Sequence, residues 1–359
     1  MTSHATPTRV LVVDDSTAMC QFLQAVIDGD PKLQVVGTAQ NPYQARDMIK
    51  RLNPDVITLD IEMPHMDGLT FLRNLMRLRP MPVVIISSLT AAGADITLEA
   101  LNVGAVDALV KRHPGAGESL NAYISDIRQS VQVAGGATVR AENTQVRRAW
   151  KNPELIAWRQ KVLRSGPLTD RLKTLVAIGS STGGPQALTE LLRTFTNKTA
   201  GVLIVQHMSA RFLAPLAERL NAQSGLSVKL ASNGCQIEPG VALLAPGQQH
   251  MVVTNVNNEY HILLKPPHER EPHVPAVSML FQSVSRTAGA RSIGVLLTGM
   301  GTDGAAAMQT MHKRGSLTLV QDQSSSAVWG MPGSAVALGG VDGEIPLLDL
   351  GATLNRVLE

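Results

Sequence analysis

Short, continuous apolar runs alternate with helix-length segments over the first third of the chain. Continuous hydrophobicity is typical of strands that are buried on both faces, as in parallel sheets covered by helices on each side. The runs with this character cover residues 10–13, 33–36, 56–59, 83–86 and 108–110. The pattern predicts a doubly wound α/β domain with a five-stranded parallel sheet over residues 8–130.

The C-terminal half repeats this alternation of strands and helices, but its central part consists of short strands without helices between them. Strands are predicted at residues 175–178, 201–205, 226–230, 241–244, 251–254, 260–264, 292–297 and 317–320. Helices are predicted at residues 186–195, 276–287 and 304–313. A further helix is predicted after the strand over 201–205 and ends at about residue 223. The short strands in the middle are typical of hairpins. The pattern predicts a second doubly wound domain over residues 174–359, mainly parallel α/β with a hairpin insert.

Residues 131–173 separate the two patterns. This stretch starts rich in Ala, Gly and Val, becomes basic, and has no clear hydrophobic period. Such composition indicates a linker, which either is solvated or docks one domain on the other. The length of 359 residues agrees with two domains, each large enough to bury its own core.

Composition excludes several classes of protein. A net charge of +3 is too small to indicate a nucleic-acid partner. The two cysteines, Cys20 and Cys235, are far apart in sequence and provide neither a disulfide framework nor a thiolate metal site. No apolar run approaches 18 residues, and the polar N-terminus lacks a signal-peptide core. We therefore expect a cytoplasmic protein without membrane insertion.

Polar residues follow the predicted strands of the first domain. Asp14 and Asp15 come after the first strand, Asp60 after the third, Ser87 at the end of the fourth and Lys111 after the fifth. Ligands of such sheets bind at the carboxyl ends of the strands. Three carboxylates at one edge repel one another, and a hard divalent cation such as Mg²⁺ relieves that repulsion. Together these residues predict a magnesium and phosphoryl site.

The first domain resembles response-regulator receiver domains. The resemblance is carried by Leu11-Val-Val-Asp-Asp15, Thr58-Leu-Asp-Ile-Glu-Met-Pro-His-Met-Asp-Gly68, Val84-Ile-Ile-Ser87 and Lys111. It implies that Asp60 accepts a phosphoryl group from a histidine kinase.

The same resemblance implies a role for each polar residue of this edge. Asp15, Asp60 and the backbone carbonyl of Glu62 would hold Mg²⁺, with Asp14 acting through water. Ser87 and Lys111 would contact the phosphoryl oxygens.

A glycine-rich stretch opens the second domain. After the predicted strand, Gly179-Ser-Ser-Thr-Gly183 matches G-x-S-x-G, in which a sharp strand-to-helix turn exposes a serine beside free backbone N–H groups. The central residue is Ser181. The alternatives are a phosphate cradle or plain turn chemistry, because either uses the same small residues.

Two further polar residues fall on the edge of Ser181. His207 follows the next predicted strand, and Asp303 follows the strand over 292–297. A serine nucleophile needs a base, and the base needs a carboxylate that fixes its tautomer. Lipase-like hydrolases run Ser, Asp, His along the chain, whereas here the order is Ser, His, Asp. Taken singly, His207 could be scaffolding and Asp303 a helix cap.

Four other histidines were considered as metal ligands. Their spacings match no zinc pattern, and they fall in a hairpin and a Pro-rich loop, so they are interpreted as surface residues; they are His250, His261, His268 and His273.

The second domain resembles the chemotaxis protein-glutamate methylesterase family. The matching segments are Ile178-Gly-Ser-Ser-Thr-Gly-Gly184, Val205-Gln-His-Met208, Leu244-Ala-Pro-Gly247, Leu296-Leu-Thr-Gly-Met-Gly-Thr-Asp-Gly304 and Gly330-Met-Pro332. The resemblance implies a cofactor-independent esterase that hydrolyses methyl-glutamate side-chain esters on methyl-accepting chemoreceptors and deamidates specific glutamines.

This family resemblance also implies roles for individual residues. Ser181 would be the nucleophile, His207 the base and acid, and Asp303 its orienter, while the backbone N–H of Met300 would contribute to the oxyanion hole. The chain departs from the family at Pro275-Ala-Val-Ser278, where Pro-Ser-Val-Asp is common.

Two functions of different classes remain to be distinguished. The favoured one is a serine esterase regulated by phosphorylation. The alternative is a non-enzymatic receiver-output module that binds a phosphate or nucleotide at the Gly-rich turn. Dinucleotide binding would favour G-x-G-x-x-G and an acidic residue at the end of the next strand, where this chain has Gln206 and His207.

Overall fold

A computed structural model describes residues 6–63, 67–88, 91–111, 120–139, 174–196, 200–268, 271 and 273–358. Its internal contacts divide the chain into two compact units, Met1–Asn143 and Thr144–Glu359. Over the residues described, none of the helices has the length and apolar character needed to cross a membrane.

The first unit is a five-stranded parallel sheet with the strand order β2-β1-β3-β4-β5. Its elements are β1 (Thr8–Val13), α1 (Thr17–Asp28), β2 (Leu33–Ala39), α2 (Pro42–Leu52), β3 (Val56–Leu59), α3 (Gly68–Leu78), β4 (Val83–Ser87), α4 (Ala91–Val103), β5 (Asp107–Val110) and α5 (Leu120–Gly135). Strands β3 and β4 are buried along their whole length, as continuous apolar runs require. The fold class predicted for this domain is confirmed.

Backbone hydrogen bonds continue past the strands and fix the polar edge. The Asp60 amide donates to the Val13 carbonyl at 2.9 Å, and the Lys111 amide donates to the Ser87 carbonyl at 2.8 Å. The residues after β1, β3, β4 and β5 are thereby brought to one edge of the sheet.

The linker predicted from residue 131 starts too early. Helix α5 continues to Gly135, and its buried residues Val131 and Ala134 pack in the core of the first unit. Small residues give a weak periodic signal, so the contribution of this last turn to the core is visible only in the tertiary structure. Residues 140–173, which include most of the predicted linker, lie outside the described part of the chain.

The second unit is built on a seven-stranded sheet with the order β14-β13-β12-β6-β7-β9-β8, in which every pairing is parallel. Its strands are β6 (Leu175–Ser180), β7 (Gly201–Gln206), β8 (Ser227–Leu230), β9 (Val241–Leu244), β12 (Ser292–Leu296), β13 (Leu317–Gln321) and β14 (Gly343–Ile345). Its helices are α6 (Gly184–Thr194), α7 (Ala210–Gln223), α8 (Val277–Thr287), α9 (Ala305–Lys313), α10 (Gly330–Ala337) and α11 (Leu347–Leu358).

The predicted hairpin insert is formed by β10 (His250–Val256) and β11 (Glu259–Lys265), which pair antiparallel apart from the main sheet. The two strands join through Asn257 and Asn258, whose φ angles are 52° and 66°. Asparagine tolerates this left-handed backbone, which two-residue hairpin turns use. The main sheet and the hairpin confirm the second half of the predicted fold class.

Candidate active site

Ser181 lies in the turn between β6 and α6. Gly183, which caps the helix, has a φ of 76°, a left-handed conformation that favours glycine. Any side chain at Gly184 would overlap the side-chain oxygen of Gln206. Both glycines are therefore needed for the chain to turn sharply and leave Ser181 at the edge of the sheet, where it is half-buried.

Gln206, the last residue of β7, joins the turn to the neighbouring strand. It is 1% exposed, and its side-chain amide donates to the Ser181 carbonyl at 2.9 Å and to the His207 carbonyl at 3.0 Å. Its side-chain oxygen accepts from the Ser180 hydroxyl at 2.6 Å. One buried side chain thus fixes the backbones of Ser181 and His207 relative to each other. The sequence alone assigns no role to Gln206, because its signal there is no more than a polar residue at the end of an apolar strand.

His207 and Asp303 form a close pair. His207 Nε2 lies 2.9 Å from Asp303 Oδ2, and the two side chains are only 10% and 9% exposed. Nδ1 of His207 is buried and has no hydrogen-bond partner among the residues that the structure describes. A charged carboxylate can accept hydrogen bonds but cannot donate them. His207 Nε2 therefore carries the proton that Asp303 accepts, and His207 Nδ1 has a free lone pair.

The start of α8 surrounds Asp303 with donors. The amides of Val277 and Ser278 donate to its two oxygens at 2.7 and 3.0 Å, and the Ser278 hydroxyl donates to Oδ1 at 2.5 Å. The same hydroxyl accepts from the Gly304 amide at 2.9 Å. Ser278, one of the two departures noted in the sequence, therefore contacts the Asp303 carboxylate directly.

The pKa of Asp303 is well below its usual range. Burial alone would raise this pKa, but the hydrogen bonds from His207 and Ser278 and the charge of His207 outweigh it. Asp303 is consequently ionised whenever His207 requires an acceptor.

The loop after β12 packs against the turn that contains Ser181. A side chain on Gly299 would place its Cβ 2.8 Å from the Ser181 Cβ, and the Ser181 amide donates to the Thr298 carbonyl at 3.1 Å. Met300, the residue predicted for the oxyanion hole, follows directly in this loop and is half-buried.

Two of the histidines assigned to the surface are wrongly assigned. His250 is 1% exposed, with Nε2 2.5 Å from Glu271 Oε2 and Nδ1 accepting from the Ala276 amide at 3.1 Å. The ring of His273 stacks on that of His207. These contacts join residues distant in sequence, so a spacing pattern cannot predict them. His268 is exposed and His261 is partly buried.

The polar edge of the first unit gathers its predicted residues. Carboxylate oxygens of Asp14, Asp15 and Asp60 all lie within 4.8 Å of one another. Lys111 Nζ lies 2.7 Å from both Asp14 Oδ2 and Asp60 Oδ2. Three converging carboxylates are a donor set that fits Mg²⁺. The hydroxyl of Ser87 is buried and has no hydrogen-bond partner in the described part of the chain.

Burial perturbs the two central groups of this edge. It raises the pKa of Asp60, and the contacts with Lys111 offset only part of that effect. Burial would lower the pKa of Lys111, but its bonds to Asp14 and Asp60 outweigh burial and raise the pKa. Lys111 is therefore a cation held against a crowded carboxylate.

Comparison with known proteins identifies the family. A family model described as CheB methylesterase matches residues 176–354, and one described as response regulator receiver domain matches residues 10–122. A protein-glutamate methylesterase/protein-glutamine glutaminase of Xanthomonas campestris is 46% identical over 349 residues, covering 95% of each chain. The chain belongs to the CheB methylesterase family.

Other members of the CheB methylesterase family agree with this assignment. A relative of the same name from Pectobacterium atrosepticum is 43% identical over 352 residues, covering 98% of this chain and 96% of that one. Among solved structures, the CheB methylesterase catalytic domain of Thermotoga maritima is 30% identical and covers 52% of this chain and 98% of that chain, with a TM-score of 0.49. Family membership favours the esterase over a non-enzymatic module.

Proposed function

We propose that the chain is a phosphorylation-regulated serine esterase that hydrolyses methyl-glutamate side-chain esters on chemoreceptors and deamidates specific glutamines. The observation that carries the proposal is the His207–Asp303 pair, whose His207 follows the strand next to the one that leads to Ser181 and keeps one imidazole nitrogen without a partner among the described residues. The names of the relatives, protein-glutamate methylesterase/protein-glutamine glutaminase, support the substrate class.

In the proposed reaction Ser181 Oγ attacks the ester carbonyl carbon while its proton passes to His207 Nδ1. The tetrahedral adduct collapses, the bond to the methoxy oxygen breaks, and Nδ1 returns the proton so that methanol leaves. For a glutamine side chain the leaving group is ammonia. Water then attacks the acyl-enzyme and loses a proton to Nδ1. The bond to Ser181 Oγ breaks as Nδ1 returns that proton to the oxygen, which releases glutamate and restores the Ser181 hydroxyl.

Two groups stabilise the charges that develop during this reaction, on the imidazole of His207 and on the carbonyl oxygen of the substrate. Asp303 is ionised and bonded to Nε2, so it stabilises the imidazolium form of His207 and fixes its tautomer. We assign the backbone N–H of Met300 to the developing oxyanion, because its loop packs against Ser181.

The first unit would supply the regulation. We propose Asp60 as the acceptor of a phosphoryl group from the chemotaxis histidine kinase, with Lys111 and Ser87 contacting the phosphoryl oxygens. Asp15, Asp60 and the Glu62 carbonyl would hold Mg²⁺, with Asp14 acting through water. Bound there, Mg²⁺ would neutralise charge on the carboxylates and the phosphoryl group. The cytoplasmic location expected from the sequence stays a prediction.

The proposed nucleophile is tested by Ser181→Ala, measured as methanol release from methylated receptors. Activity should fall by about 10⁴-fold or more, because nucleophile and base act as a unit. Ser209→Ala is a matched control, since Ser209 is exposed and its side chain makes no helix-capping bond. Activity of Ser181→Ala within tenfold of the unmodified protein would contradict the proposal.

A further inference from the structure

His273 lies against His207, the proposed base, although none of the motifs that carry the two family resemblances includes His273. Its imidazole is nearly parallel to that of His207, with ring centroids 4.4 Å apart and an angle of 11° between the planes. We propose that His273 is a positioning residue that holds the ring of His207 in the plane from which Nδ1 reaches Ser181. The inference deepens the proposed function and rests on it.

His207 needs a second restraint because its hydrogen bonds define only one end of the ring. Nε2 is held by Asp303, but Nδ1 has no partner among the described residues before substrate arrives. Rotation of a histidine ring about its last side-chain bond is soft. A flat ring stacked on one face limits this rotation without occupying Nδ1, which must stay available for the Ser181 proton.

The segment that carries His273 is anchored on both sides. Glu271 bonds His250 Nε2 and accepts from the His268 amide at 3.1 Å, while the Ala276 amide donates to His250 Nδ1. A backbone N–H can only donate, so Nδ1 of His250 accepts and its Nε2 donates to Glu271. Buried His250 thereby ties together the two ends of the short segment between Glu271 and Ala276.

The charge of the stacked pair also suits this role. Burial and the nearby charge of His207 lower the pKa of His273, and Asp303 opposes them only in part. His273 is therefore neutral when His207 takes the proton from Ser181. A neutral aromatic face can stack on an imidazolium without charge repulsion, whereas a second cation could not.

The test compares two substitutions in the full chain. His273→Ala removes the ring, and His273→Phe keeps a flat ring without nitrogens. Each variant is measured for kcat and KM on methylated receptor, and for the rate at which a small fluorophosphonate labels Ser181. The control is His268→Ala, because His268 is exposed and only its backbone bonds to Glu271. Thermal unfolding of every variant is measured in parallel.

We expect His273→Ala to lower kcat and the labelling rate together by about tenfold with KM unchanged, as for loss of one oriented aromatic contact. His273→Phe should recover both rates to within about threefold of the unmodified protein. Equal losses in the two variants would assign the effect to the ring nitrogens and overturn the inference.

Other outcomes would also overturn it. These are a change in KM alone, which would indicate contact with receptor, or an unchanged His273→Ala protein. If His273→Ala fails to fold, His273→Phe alone decides, and a slow but folded His273→Phe protein contradicts the inference. Ser181→Ala separates the two levels of the proposal. A Ser181→Ala protein that is still labelled and active would contradict Ser181 as the nucleophile of the proposed function, whereas failure of the His273 variants alone leaves that assignment intact.

Discussion

At the scale of single residues, the charge on Asp303 links chemistry to stability. Its hydrogen bonds from Val277, Ser278 and His207 favour the ionised form, which lowers its pKa in the folded state. In the unfolded chain an aspartate has a pKa of about 3.9. A depressed folded pKa contributes stability above that value, and the contribution is lost as the pH falls below it.

We therefore expect acid to weaken the second unit partly through Asp303. Between about pH 5 and pH 3, the unmodified protein should lose protection of the β6 and β7 amides more steeply than Asp303→Asn, which has no carboxyl to titrate. Hydrogen–deuterium exchange at several pH values measures this difference. Parallel pH dependences in the two proteins would contradict the prediction.

At the scale of elements, His250 holds two residues of the loop between β11 and α8, Glu271 and Ala276, by hydrogen bonds. The side chain is buried at the first position of β10 and bonds both Glu271 and the Ala276 amide, just before the donors that hold Asp303. The start of α8 and the ring of His273 thus depend on one histidine that the sequence placed at the surface.

His250→Ala should consequently lower the free energy of unfolding of the second unit by about 2 kcal/mol, because a buried amide loses its acceptor and a cavity remains. Esterase activity should fall as well, since Asp303 and His273 lose their support. Denaturant unfolding and methanol release measure the two effects, with exposed His268→Ala as control. A His250→Ala protein as stable as the control would contradict the role assigned to this side chain.

The elements that sequence predicts well are those with a local signal. Strand β9 shows four consecutive apolar residues, β3 shows three apolar residues and a buried Thr58, and both lie where the pattern places them. Helix α10 lacks such a signal, because it contains Pro332 and Gly333 and depends on burial of Met331. Strand β14, three residues at the sheet edge, is too short for any period.

The candidate site divides in the same way. The placement of Ser181, His207 and Asp303 was predictable because strand ends share an edge and the three residue types suit one reaction, and their catalytic roles stay predictions. Gln206 and His273 were not, since their partners are defined by side-chain direction and by a loop folding back. Their roles stay predictions until the variants are measured.

At the scale of the whole molecule, the first unit has a crowded acidic edge that stores unfavourable energy. Burial raises the pKa of Asp60, so its ionisation destabilises the fold as the pH rises through that pKa. Lys111 offsets this only in part. A divalent cation at the three carboxylates would remove the repulsion, which couples metal binding to the stability of this unit.

Asp60→Asn should therefore raise the thermal midpoint of the first unit at neutral pH without Mg²⁺, and should reduce the further gain when Mg²⁺ is added. The same variant should not be labelled by acetyl phosphate. Asp47→Asn is the control, because Asp47 is exposed and pairs with the neighbouring Arg46 on the surface. An Asp60→Asn protein that is labelled like the control would contradict the phosphorylation site.

The bridge formed by Gln206 has a consequence for how such an enzyme can diversify. Because the side-chain amide of buried Gln206 bonds the carbonyls of Ser181 and His207, the relative placement of these two backbones does not depend on the surrounding loops. Loops that carry no residue packed against His207 or Asp303 can then vary among relatives, while this placement is kept. We expect differences among relatives in receptor choice to map to those loops rather than to the turn and strand end that carry Ser181 and His207.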